Sequence, residues 1–111
     1  MNNIYIVTED YLFMSNTFEH DSNIILVTSD KELAIRTLKE ERKKYIGLFK
    51  LDEEDLKKYV GKDYGDTDFF IEDTDYDFYI FEQENGDRAY IKINEFKTDD
   101  YINYESVDIQ E

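Results

Sequence analysis

Between Asp77 and Asn94 the chain reads DFYIFEQENGDRAYIKIN, two alternating apolar runs on either side of an Asn85-Gly86 pair. No other segment restricts the fold as strongly. Asn-Gly supplies two residues that tolerate positive φ, as the two-residue type I′ turn of a β-hairpin requires. A turn there pairs Glu84 with Asp87, Phe81 with Tyr90 and Ile80 with Ile91, which predicts an antiparallel ladder. Strand side chains alternate between faces, so Phe78, Ile80, Ala89, Ile91 and Ile93 share one side and are predicted to be core. Tyr79, Phe81, Tyr90 and Lys92 share the other. A face that aromatic is either covered or used, which leaves monomer and homodimer both open.

The remaining elements follow from shorter signals. IYIVT at Ile4–Thr8 and IILVT at Ile24–Thr28 read as strands, the second as a continuous apolar run suited to a central position, with a weaker strand at Tyr11–Met14. Ser29 to Glu32 has the spacing of a capping box and predicts a helix over 30–44. Ala34, Ile35, Leu38, Arg42 and Tyr45 fall near one face of that helix. IGLFKL at Ile46–Leu51 reads as a return to strand. Asp52 caps a second helix over 53–60, which Gly61 ends, and FFI at Phe69–Ile71 forms a short strand. The tail YINYESVDIQE could add an edge strand. The order predicts a single α+β domain over 1–111: an antiparallel or mixed sheet of about five strands, one main helix on one face and a short second helix.

Charge divides the chain. Of 28 acids, twenty lie after Leu51 with only six bases, and ten fall between Asp63 and Asp87 with no Lys or Arg among them. The net charge is −15, yet 16% of residues are aromatic, far too many for a disordered acidic tract. With no cysteine there is no disulfide framework and no thiolate chemistry, which fits a reducing cytoplasm. Neither a secretion signal nor an apolar run long enough to span a bilayer is present, so no membrane contact is expected. The lack of proline and the abundance of Ile, Asn, Lys and Tyr resemble translation of an AT-rich bacterial or phage genome.

Three sets of residues have the types that catalysis or metal binding would use. Asp73, Asp75, Asp77 and Glu84 occupy calcium-loop spacing, but Phe78 stands where the EF-hand turn needs glycine, and no helix flanks it. Asp87 with Glu95-Phe96-Lys97 loosely matches the carboxylates and lysine of metal-dependent nucleases, although a phosphodiester substrate would meet a field of its own sign. His20 is the only histidine and is placed in an exposed loop, without partners for zinc or for nucleophilic catalysis. No catalytic residue, metal or cofactor is expected; a small metal-dependent hydrolase is the minor alternative.

The acids alternate with aromatics in DYGDTDFFIEDTDYDFY. Carboxylates repel phosphate, so direct nucleic-acid binding is disfavoured and a basic protein surface is the expected partner. The expected contact residues are the acids Asp63, Asp66, Asp68, Glu72, Asp73, Asp75 and Asp77 with the aromatics Tyr64, Phe69, Tyr76 and Tyr79. If extended, Asp73, Asp75 and Asp77 would form a row of negative charge. In size, charge, lack of cysteine and this acidic-aromatic run, the chain resembles the small host-defence inhibitors of phages and mobile elements, anti-CRISPR proteins and DNA mimics among them. The resemblance implies a cytoplasmic inhibitor that occupies the basic nucleic-acid channel of a bacterial effector such as a CRISPR nuclease. An immunity protein that neutralises a basic toxin nuclease is the alternative.

Overall fold

The computed structural model describes residues 3–14, 18–62 and 68–97. Five antiparallel strands form one sheet in the order β2-β1-β5-β4-β3, with β1 at Asn3–Phe13, β2 at Glu19–Thr28, β3 at Phe69–Asp73, β4 at Asp77–Glu82 and β5 at Arg88–Lys97. Two helices, α1 (Lys31–Leu48) and α2 (Glu53–Tyr59), join β2 to β3. The fold is α+β, as the element order predicts. The expected edge strand in the tail lies outside the described residues.

The core forms where α1 and α2 cover one side of the sheet. Tyr5 and Val7 of β1, Ile71 of β3, Phe78 and Ile80 of β4, and Ala89, Ile91 and Ile93 of β5 meet Ala34, Leu38, Tyr45, Ile46, Leu56 and Tyr59 of the helices. The face assignment made from alternation is therefore correct. The register is not. Phe78 pairs with Ile91, Ile80 with Ala89 and Phe81 with Arg88, two residues from the pairing a type I′ turn gives. The loop between Glu82 and Asp87 holds four residues, closed by Glu82 N–H to Asp87 O at 2.8 Å, and only Gly86 takes a positive φ, 81°. A shift of two keeps every side chain on its own face.

Four further expectations are corrected. Helix α1 is capped by Asp30, whose side chain accepts the Leu33 N–H, rather than by Ser29. It also runs through Ile46–Leu48, which the sequence reads as strand, because Tyr45, Ile46 and Phe49 continue the buried stripe of Ala34 and Leu38. Lys50 then adopts φ 61°, and Leu51 N–H donates to Ile46 O while Lys50 N–H donates to Gly47 O, a Schellman ending. The two strands expected in residues 4–14 are one, β1. Finally, β2 lies at the sheet edge rather than its centre, with Ile24 68% and Val27 59% exposed.

Helix α2 behaves as read. Asp52 and Asp55 form a reciprocal capping box, and Gly61 follows the helix at φ 78°.

Candidate functional site

The sheet register decides where the carboxylates go. Phe13 of β1 lies opposite Glu19 of β2, Leu12 opposite Arg88 of β5, Phe81 of β4 opposite Arg88, and Phe69 of β3 opposite Glu82. One end of the sheet therefore carries Glu19, Asp21, Asp68 and Glu82 together with Glu84 and Asp87 of the β4–β5 loop, with Arg88 exposed on the opposite face of the sheet. The end of α1 reaches the same place, and a helix C-terminus is itself partly negative.

A cavity of about 660 Å³ opens between that end of the sheet and the last turn of α1. Tyr11, Phe13, Tyr45, Phe49 and Phe69 line it as a continuous series of rings. Their centroids are 5.4 Å apart for Tyr11–Phe13, 6.5 Å for Phe13–Tyr45, 5.6 Å for Phe13–Phe49 and 6.3 Å for Phe49–Phe69. Glu19, Glu82 and Asp87 supply carboxylates to the lining, and Lys44 and Lys50 supply ammonium groups. Asp87 is buried and accepts the Met14 N–H at 2.6 Å, which ties the β4–β5 loop to the end of β1.

Lys44 is already engaged. Its ammonium stands 2.8 Å from Glu9 and 2.6 Å from Glu41, and the Tyr45 hydroxyl donates to the same Glu9. Glu9 is only 8% exposed, facing the helices from the middle of β1. Burial works to raise its carboxyl, but the hydrogen bonds from Lys44 and Tyr45 outweigh it and hold the group below its ordinary value. Burial and the neighbouring Glu9 push the Tyr45 phenol up, and burial with Glu19, Asp21 and Glu9 pushes Tyr11 up.

The residues singled out from sequence are not all brought together. Asp63, Tyr64 and Asp66 lie outside the described residues. Asp68 is exposed at the start of β3, and Phe69 beside it turns inward onto Phe49 and Tyr59. Asp73, Asp75 and Asp77 do not form a row, because the chain reverses at 74–76, where Thr74 N–H donates to Asp77 O and Asp77 N–H to Thr74 Oγ1. Asp73 faces the helices and is gripped by Arg42, Nη2 to Oδ2 at 2.8 Å, while the same guanidinium holds Glu53. Asp75 is exposed at the turn, and Asp77 is half-buried. The Tyr76 ring lies 5.6 Å from the Lys31 ammonium, and its hydroxyl donates to Glu95. Tyr79 and Glu72 stand on the outer face of the sheet, where Tyr79 meets Phe70 and Tyr90 edge to face.

His20 is on strand β2 rather than in a loop, exposed, with Asp10 3.3 Å away. Asp87 precedes β5 and Glu95 lies near the far end of that strand, roughly 26 Å away by strand rise, so the nuclease-like set is not assembled. Among the described residues no cluster of His, Asp and Glu is arranged to hold a metal ion, and no helix is long and apolar enough to cross a membrane. Sequence reasoning missed the cavity because its walls come from β1, β2, α1, β3, β4 and the β4–β5 loop; the single local signal is that Tyr11 and Phe13 share one face of β1.

Compared with known proteins, the chain matches no family model, no curated protein sequence and no solved structure.

Proposed function

We propose that the protein is an acidic inhibitor that docks on a basic protein surface, the nucleic-acid-binding surface of a bacterial defence effector of the CRISPR nuclease kind. What supports the reading is the gathering of Glu19, Asp21, Asp68, Glu82, Glu84 and Asp87 at one end of the sheet, beside an aromatic-walled cavity. The carboxylates steer a cationic partner and set its orientation, while buried aromatic contacts supply duration. The row of aspartates expected at 73–77 has no part in it, since Asp73 is neutralised within the fold by Arg42.

Competition binding tests the reading. An effector complex loaded with labelled target nucleic acid should release it as the protein is added, with an apparent affinity that falls steeply between low and physiological salt. Reversing Asp68, Glu82 and Glu84 together to lysine should weaken the inhibitor about tenfold or more. Reversing Glu32 and Glu40 on α1 should do much less. Binding indifferent to salt and to nucleic acid overturns the proposal. A basic toxin nuclease as the tight partner would instead make the same surface that of an immunity protein.

A further inference from the structure

The acidic end contains a lining that a merely repulsive patch would not need. We infer that the cavity is a receptor for an arginine side chain presented by a loop of the basic partner; this rests on the docking reading above and names the group that anchors it.

Four observations converge on a guanidinium. The volume, about 660 Å³, lies within the range of ligand pockets and admits a side chain with its flanking backbone. Tyr11, Phe13, Phe49 and Phe69 are among the lining residues, and a planar, weakly hydrated cation packs on aromatic rings better than a compact ammonium does. Glu82 of β4 is half-buried in that lining, and Glu19, exposed on β2, belongs to the same lining with β1 and β5 between them; neither side chain makes a hydrogen bond or ion pair among the described residues. A partly buried carboxylate without a partner accepts a charge-assisted, bidentate pair with gain. Last, the balance of charge is negative: Glu9 and Glu41 already absorb Lys44, which leaves Glu19 and Glu82 against Lys50.

A metal ion is the wrong cation for this place. The described carboxylates do not converge as ligands, and the wall between them is aromatic. Lys50 opposes a cation and favours an anion, so it separates the two readings. It forms no ion pair among the described residues, and it sits at φ 61°, where glycine would be accepted without backbone cost.

The test is an NMR titration of the full chain at low salt with N-acetyl-arginine amide, followed at the aromatic side chains. Shifts should concentrate on Tyr11, Phe13, Phe49 and Phe69, with Tyr79 and Tyr90 of the outer face unmoved. The citrulline analogue, of nearly the same shape without charge, should bind about tenfold more weakly or not at all, the loss expected for a charge-assisted pair. Glu19→Gln with Glu82→Gln should reduce arginine binding by a similar factor, and Lys50→Gly should strengthen it. Equal binding of arginine and citrulline amides overturns the inference. So does weaker arginine binding in Lys50→Gly, or tighter binding of N-acetyl-glutamate amide, which would make the cavity an anion site. Should the arginine amide move only outer-face rings while polyarginine still binds in a salt-dependent way, the cavity loses its role and the docking of a basic partner stands.

Discussion

Glu9 shows what a single carboxylate can require of its surroundings. Placed on the helix side of β1, it is tolerated because the Tyr45 hydroxyl and the Lys44 ammonium both donate to it. From sequence, Glu9-Asp10 reads as a break between two short strands; the run is continuous because a lysine and a tyrosine 35 and 36 residues away complete it. No local pattern carries that pairing. Its pH dependence has a fixed sign. Glu9 is held below its ordinary 4.5, so its contribution to stability is present above that value and fades as pH falls through the folded-state value. Lys44 is raised above 10.5 and Tyr45 above 10.0, so theirs are present below those values and fade as pH rises through the folded-state values. Glu9→Gln should therefore cost about 1–3 kcal/mol near pH 7. In urea denaturation the gap between the two proteins should narrow below pH 4.5; a gap constant from pH 3 to pH 7 would show that the charge on Glu9 contributes nothing.

At the scale of elements, side-chain periodicity was informative and turn chemistry was not. Alternation placed Phe78, Ile80, Ala89, Ile91 and Ile93 inward, and all five are buried. Asn85-Gly86 pointed to a two-residue turn, yet the Asn85 side chain is spent accepting the Asp87 N–H at 3.0 Å, and Gly86 alone is left-handed. The same limit blurred the end of α1, where IGLFKL has strand composition but Ile46 and Phe49 complete a helical face that only the assembled sheet supplies. The loop makes a sharp prediction. A Cβ at Gly86 would meet Met14 Sδ at 3.5 Å, an ordinary contact, so the penalty of Gly86→Ala comes from the backbone at φ 81°. It should amount to about 1–2 kcal/mol, read as a fall of several degrees in Tm. A Tm unchanged within a degree would mean that the loop relaxes to another form.

For the whole molecule, the net charge of −15 was plain from composition, whereas its distribution was not. The acids between 68 and 87 divide among the cavity end, the outer face, the 74–76 turn and the Arg42 pair, according to strand direction and register. Uncompensated charge of one sign strains any compact body. Raising ionic strength from about 10 mM to about 500 mM shortens the screening length from roughly 30 Å to below 8 Å. Stability in urea should rise over that range while affinity for a basic partner falls. Parallel movement of the two would separate the binding surface from the charge.

Strand order has one more consequence. Glu19–Thr28 and Asn3–Phe13 form one hairpin, Phe69–Asp73 and Asp77–Glu82 another, and they share no ladder until Arg88–Lys97 is inserted between them. A ribosome delivers that keystone after both halves. During synthesis each hairpin presents an unzipped inner border, and the sheet becomes continuous only when that strand pairs with both.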